Sequence, residues 1–376
     1  MKILYVVNDA NFFISHRLPL ALNAKRLGYD VCVVTAPNTG EARLLEAGFT
    51  HHALPISRSG LNLLDEYRTY RALRELYQQQ QPDLVHHVTA KPVLYGTYAA
   101  RAVGIKNVVN AVPGMGIVFS RKGIAAKFGR LFINMLYRQA FKHPHMRVIF
   151  QNTEDMRAFL DMEIVDKSQA VLIRGSGVDL SLFDPEYWPP QEPVVFVMLA
   201  RMLRHKGVVE FAKAAEVVKR QHPKWRFLLA GGEDPGNPGS LGAEQLQKLS
   251  ARYGVEWLGQ VDDVAGLLRE SHIACLPTYY REGLPKTLLE ASAAGRPMIA
   301  TSIAGCKEVV TEGVTGTLVP PRDFQSLAAA MINLGEDPPA QKRLGDAARQ
   351  KAQAIFSVDD VVEHTFRVYQ DLVEHN

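Results

Sequence analysis

The sequence predicts an α/β chain built from two doubly wound parallel-sheet domains, and three observations carry that prediction. Short apolar runs alternate with helical stretches along the whole length. The runs show no apolar–polar alternation, as expected of strands covered on both faces. The pattern stops at a proline-rich stretch and starts again. The 376 residues also exceed what one core usually supports.

The elements follow in order. Ile3–Val7 is the first apolar run, and a helix is expected over His16–Leu27, closed by Gly28. Val31–Thr35, Leu84–Val85, Asn107–Ala111 and Arg147–Phe150 continue the series. A helix is expected from Gly123 to Phe141. Residues 184–193 hold four prolines in ten, which neither a helix interior nor a central strand tolerates, so this stretch reads as a stiff linker. Val194–Leu199, Arg226–Ala230, Val255–Leu258, Ile273–Leu276 and Met298–Thr301 form the second series. The expected boundaries are a first domain at 1–183, a linker at 184–193, a second domain at 194–356, and a closing segment at 357–376. That last segment carries a helix near Val358–Glu374 that returns toward the first domain.

Composition excludes several classes. Hydrophobic content of 47% and charged content of 22% are those of a globular protein. No apolar run reaches 18 residues, and residues 1–20 lack the pattern of a secretory signal. Cys32, Cys275 and Cys306 have no metal-ligand spacing and read as buried thiols of a reducing compartment.

The most informative stretch is Arg281–Glu290. Glu282-Gly283 precedes Pro285, a residue suited to the first turn of a helix. Glu290 then falls about one and a half turns inside that helix. Two carboxylates flank a helix start whose free N–H groups favour an anion, an arrangement suited to a sugar attached to phosphate. An exposed Glu beside a capping Glu is the plainer reading of this spacing alone. Arg201, Lys206 and Gly207 follow the first strand of the second domain, at the carboxyl end where open α/β sheets bind ligands. Arg offers a planar fork and Lys a mobile point charge; a solvated basic loop is the alternative. Gly231-Gly232 would let a ligand approach the backbone, although the following Asp234-Pro235-Gly236 also fits a plain turn. Val261, after another strand, is a candidate for a base pocket. No G-x-G-x-x-G loop occurs.

With these residues in place, the combination Arg201-x4-Lys206-Gly207 and Glu282-Gly283-x-Pro285-x4-Glu290 resembles the donor site of glycosyltransferase family 4. The first half agrees through Phe12–Pro19, Pro82–Pro92 and Asn110–Gly116, which are similar to the branch that builds lipid-linked oligosaccharides, capsule and O-antigen in bacteria. The resemblance implies the GT-B fold, with two Rossmann-like domains facing across a cleft, and transfer with retention at the anomeric carbon. It implies that Arg201 and Lys206 hold the donor diphosphate, that Glu282 meets sugar hydroxyls, and that Glu290 meets the ribose. Gly283, Leu284, Pro285, Gly231 and Val261 complete the donor set. Where relatives carry a Gly-Gly pair after the first strand, this chain has Asn8–Phe13.

His86 and His87 follow a strand of the first domain, and the resemblance implies that one of them reaches the donor sugar. Successive strand residues point to opposite faces, so at most one can do so, and a His satisfied within the core is the alternative. His16, Lys91, Gly114 and Gly116 are acceptor or cleft candidates. No general-base pair and no Asp-x-Asp are evident. The expected chemistry is charge stabilisation by Arg201 and Lys206, with no metal and no cofactor.

From Leu84 to Thr153 there is no acidic residue. Within this window Ile124, Phe128, Leu131, Phe132, Met135 and Leu136 form an apolar stripe, beside Lys127, Arg130 and Arg138. With Arg121 and Lys122, this predicts a basic amphipathic helix on an anionic membrane surface. A core-packed helix with a solvated charged side is the alternative. Nucleic acid is not expected, because no stacking platform or recognition module is present. The expected protein is a cytoplasmic enzyme, peripheral on the inner face of the membrane. It would move a sugar, with an N-acetylhexosamine on UDP as the expected donor, onto a polyprenyl-diphosphate-linked saccharide. A nucleotide-sugar epimerase of the same fold and a non-catalytic two-domain sugar-binding protein are the alternatives.

Overall fold

In the computed structural model, residues 1–56, 62–114, 124–184 and 186–374 are described. The chain divides into two compact units, Met1–Ser176 with Asp359–Asn376, and Gly177–Val358.

The first unit is a seven-stranded parallel sheet in the order β3-β2-β1-β4-β5-β6-β7. Its strands are β1 (Lys2–Val7), β2 (Asp30–Thr35), β3 (Thr50–Ala53), β4 (Leu84–Val88), β5 (Asn107–Val112), β6 (Met146–Phe150) and β7 (Ala170–Leu172). β4 and β5 are buried along their whole length, which is why they read as apolar runs. One face packs Leu73, Leu76 and Tyr77 of the helix Leu63–Gln80 with Tyr137 and Ala140 of the helix Ile124–Ala140. The other face packs Phe13 and Leu20 with Phe366, Tyr369 and Leu372 of the final helix, Val358–Glu374.

The second unit is a six-stranded parallel sheet in the order β10-β9-β8-β11-β12-β13. Its strands are β8 (Val195–Leu199), β9 (Arg226–Ala230), β10 (Glu256–Trp257), β11 (Ile273–Leu276), β12 (Met298–Thr301) and β13 (Gly316–Val319). A single apolar cluster fills both of its faces. Strand order reverses between β1 and β4 in the first sheet and between β8 and β11 in the second. Open α/β sheets bind ligands outside the carboxyl ends of the strands at such a switch.

The structure departs from the sequence reading in three places. The edge strands β3, β7 and β13 are new; an edge strand has one neighbour and a half-covered face, so it needs no apolar run. The expected helix His16–Leu27 is two helices, Ala10–His16 and Leu18–Arg26, because Arg17 leaves the helical region at φ −131°. The proline-rich stretch is not a separate linker but part of the second unit. His272 bonds the carbonyl of Pro190 at 2.9 Å, and the Arg296 guanidinium donates to the carbonyl of Tyr187 at 2.7 Å. Arg296 also lies over the Trp188 ring, 4.7 Å from its centroid.

Candidate functional site

The second unit gathers charged side chains at its switch point. Arg201 leaves the carboxyl end of β8, where Ala200 N–H still bonds the carbonyl of Ala230 at 3.0 Å. A single 3-10 turn, Arg204–Lys206, follows, and Gly207 caps the helix Val208–Lys219 at φ +88°. Only glycine fits there: a Cβ would lie 2.2 Å from the carbonyl oxygen of Pro277, just past β11. The close approach brings the β8 and β11 loops together. Tyr279 N–H donates to the His205 carbonyl at 3.0 Å.

Lys206 Nζ therefore meets Glu282, donating to Oε2 at 2.5 Å with both side chains nearly buried. Thr278 Oγ donates to the other carboxylate oxygen, Oε1, at 2.9 Å. The Glu282-Gly283 backbone is itself held closely, since a Cβ on Gly305 would sit 1.7 Å from the Gly283 carbonyl oxygen. Arg201 is half exposed, and its Nη1 donates to Asp234 Oδ2 at 2.5 Å. The two cations of the predicted donor site are thus each matched to a carboxylate. Sequence reasoning took Asp234 for part of a turn; a lone Asp after Gly-Gly carries no pattern that would single it out.

Leu284 is buried, and Pro285 is the cap of the helix Lys286–Ala293 rather than its first residue, with ψ 115°. Glu290 sits in the body of that helix and contacts Lys286 at 3.4 Å. Burial raises its carboxyl pKa, and Lys286 opposes the shift. Among the described residues, the ion pair of Glu290 is with Lys286 rather than with Arg201 or Lys206. Gly231, at φ +148°, lies against Ala200, and its carbonyl accepts from Trp257 Nε1 at 3.0 Å. Val261 is half-buried against the core. Burial, and then the charge of Lys206, hold the His205 pKa down, so it is neutral near pH 7.

In the first unit, His16 ends the helix Ala10–His16, half-buried, with its ring stacked on Phe12 at 4.1 Å. Lys91 follows β4 and donates to Glu66 at 2.5 Å. Gly114 has φ +139°. Gly116, Arg121 and Lys122 lie outside the described residues. Lys127, Phe128 and Arg130 are placed only as positions on the helix Ile124–Ala140.

The structure places His86 and His87 in the core of the first unit, the alternative the sequence left open. Both are buried, on opposite faces of β4, and each is engaged inside its own unit. His87 lies between Tyr77 Oη and Asn110 Oδ1, at 2.8 Å from each. The amide oxygen can only accept, so Nδ1 carries the proton and Nε2 accepts from the tyrosine. His86 Nδ1 meets Tyr369 Oη at 2.5 Å, and its Nε2 is buried without a partner. Burial is the main cause that depresses both pKa values: His87 to about 4, and His86 well below the ordinary range with help from Arg17.

Among the described residues, no group of three or more His, Cys, Asp or Glu could hold a metal ion, and no helix is long and apolar enough to cross a membrane. The apolar stripe of the helix Ile124–Ala140 divides. Leu131, Phe132 and Met135 are exposed, whereas Leu136, with Ile133, packs on the core.

Two family models cover most of the chain: "Glycosyl transferase 4-like" over residues 2–152 and "Glycosyl transferases group 1" over 183–351. Among curated relatives, the chain is 26% identical over 373 residues to the N,N'-diacetylbacillosaminyl-diphospho-undecaprenol alpha-1,3-N-acetylgalactosaminyltransferase of Campylobacter jejuni, covering 96% of each. It is 25% identical to the Escherichia coli UDP-Gal:alpha-D-GlcNAc-diphosphoundecaprenol alpha-1,3-galactosyltransferase, covering 85% of this chain and 83% of that enzyme. In fold it matches a Rickettsia africae glycosyltransferase (TM-score 0.79, 19% identity, 100% and 99% covered). It also matches Anabaena HepE in complex with UDP (TM-score 0.78, 17% identity, 99% and 100% covered).

Proposed function

This chain belongs to the glycosyl transferases of group 1, with a 4-like N-terminal half and the GT-B fold, and on that premise we propose that it moves a hexosyl unit from UDP onto a polyprenyl-diphosphate-linked saccharide in bacterial glycan assembly. The relatives' names and the family models set aside the epimerase and sugar-binding alternatives. One observation carries the donor half of this reading. Arg201 and Lys206, leaving β8, meet Asp234 and Glu282 at the sheet's switch point.

The chemistry follows from charge. The bond from the anomeric carbon to the diphosphate oxygen breaks, a bond to an acceptor hydroxyl forms, and the hydroxyl proton passes to the departing phosphate. Negative charge grows on the diphosphate, where Arg201 and Lys206 stabilise it without a metal. Glu282, released from Lys206 as the diphosphate takes its place, turns to the sugar hydroxyls. Glu290, whose carboxyl pKa burial raises, accepts from a ribose hydroxyl. In the first unit His16, Lys91 and Gly114 are the acceptor candidates, and anomeric configuration is retained. The test is transfer from UDP-N-acetylhexosamine and UDP-hexose to a short-chain polyprenyl-diphosphate saccharide. Transfer should occur and should vanish in Glu282→Ala. Release of free sugar alone, indifferent to acceptor, would overturn the reading.

The same proposal places the enzyme on an anionic membrane surface. Leu131, Phe132 and Met135 stand exposed on a helix whose opposite side is held by Tyr137 and Ala140. Each such side chain gains roughly 1.5–3 kcal/mol when fully buried in an apolar medium. The basic residues of the same stretch, Arg121, Lys122, Lys127 and Arg130, add about 1 kcal/mol apiece near anionic lipid. Leu131→Ser with Phe132→Ser should release the protein from phosphatidylglycerol-containing vesicles; unchanged flotation with the vesicles would end the membrane assignment.

A further inference from the structure

Asp234 belongs to a loop built around the diphosphate-binding segment. The loop 232–241 begins by continuing the parallel β8–β9 pairing and ends with residues 239–241 antiparallel to residues 202–204, and backbone bonds join the two segments. Met202 N–H donates to the Gly232 carbonyl at 3.0 Å, Arg204 N–H to the Gly239 carbonyl at 2.9 Å, and Leu241 N–H to the Met202 carbonyl at 2.8 Å. The loop is also closed on itself. Asp234 N–H bonds Ser240 Oγ at 2.9 Å, Asn237 N–H bonds the Asp234 carbonyl at 2.8 Å, and Gly239 N–H bonds Asn237 Oδ1 at 3.0 Å.

The asymmetry of the Arg201–Asp234 pair is informative. The Asp234 side chain is 7% exposed, while that of Arg201 is 52% exposed. A nearly buried carboxylate on a closed loop is a fixed anchor, and the half-exposed arginine is the mobile partner. Asp234 accepts from Nη1, and the guanidinium fork carries further N–H donors besides that one. Such a fork binds two phosphate oxygens only if its plane is already set.

We infer that Asp234 is a positioning residue that sets the Arg201 guanidinium for the donor's diphosphate while the loop 232–241 holds Asp234 in place. This rests on the nucleotide-sugar reading above. Asp234 touches no substrate; it acts through Arg201. An opposite role has a distinct signature: if Asp234 merely competed with phosphate for Arg201, its removal would tighten binding.

The test measures UDP and uridine affinity for the wild type, Asp234→Asn, Asp234→Glu and Ser240→Ala, with KM and kcat for the UDP-sugar. UDP affinity should fall roughly tenfold in Asp234→Asn, the scale of one well-placed charged hydrogen bond. Uridine affinity should hold, Asp234→Glu should recover most of the loss, and Ser240→Ala should show a smaller loss of the same kind. The change should lie mainly in KM for the donor. Unchanged or tighter UDP binding in Asp234→Asn, or equal losses for UDP and uridine, would overturn the inference. A wild type that binds no UDP would instead overturn the functional reading on which it rests.

Discussion

The carboxyl end of β8 and the carboxyl end of β4 invite the same interpretation and have opposite fates. Each flanks the switch point of its sheet, and each carries residues able to do chemistry: Arg201 and Lys206 after β8, His86 and His87 on β4 itself. The β8 residues lie past the last strand pairing, where Gly207 lets the loop press against Pro277, and their charges face carboxylates at the surface of the unit. The histidines lie inside the ladder, where β1 and β5 cover both edges and tyrosines close both faces. His87 stands one residue before the end of its strand, and Arg201 two residues past the end of its own. Position relative to the end of the ladder decides the role, more than residue type does.

Mutation tests that contrast most sharply. Lys206→Ala should lower kcat per folded molecule by roughly 10²–10³, the usual cost of removing one donor that stabilises developing negative charge, beyond the loss of stability from leaving the nearly buried Glu282 unpaired. Equal activity in steady-state assays would remove the second unit's charge cluster from the mechanism. His87→Ala should do the reverse. It strands the Tyr77 hydroxyl, at about 1–3 kcal/mol when left unsatisfied, and takes from the Asn110 amide oxygen the nearer of two donors, leaving Thr97 Oγ1 at 3.1 Å. Its melting temperature should drop while turnover per folded molecule stays near that of the wild type; a collapse of turnover at unchanged stability would restore His87 to the active site.

Titration sharpens the same comparison. The folded pKa of His87, about 4, lies below the ordinary value of 6.5. The folded state therefore favours the neutral ring, and the unfolded state takes up the proton first. The stabilisation is complete above pH 6.5 and is lost as pH falls from there toward 4, at up to about 1.4 kcal/mol per pH unit for this one group. Denaturant melts across that window should show the slope, and His87→Gln should reduce it by this one group's share, with His86 contributing to what remains. The smallest expected effect is none: EDTA should leave transfer intact, because Arg201 and Lys206 supply the positive charge. Loss of activity in EDTA, restored by a divalent cation, would contradict that.

Much of the candidate site's charge cluster was legible in the sequence because its residues sit close together along the chain. Arg201 to Lys206 and Glu282 to Glu290 are local patterns whose meaning follows from strand ends and helix starts. Asp234 was not legible, since its pairing joins residues 33 apart in sequence and a single aspartate in a Gly- and Pro-rich loop looks like a turn. The helix Ile124–Ala140 was legible as amphipathic, but which apolar residues face outward was not. Leu136 packs on the core while Leu131 is exposed, and Tyr98 donates to the Leu136 carbonyl at 2.9 Å.

By itself the sequence determined two doubly wound units, because apolar strands buried on both faces and helical spacing between them are local consequences of chain chemistry. It also set the cations and carboxylates of the candidate site at strand and helix ends. Only the tertiary structure decided that the proline-rich stretch belongs to the second unit, that His86 and His87 are neutral core residues, and that Asp234 holds Arg201. Burial and partner choice depend on side chains brought from distant parts of the chain, and they set whether a charged or titratable group is free to meet a ligand.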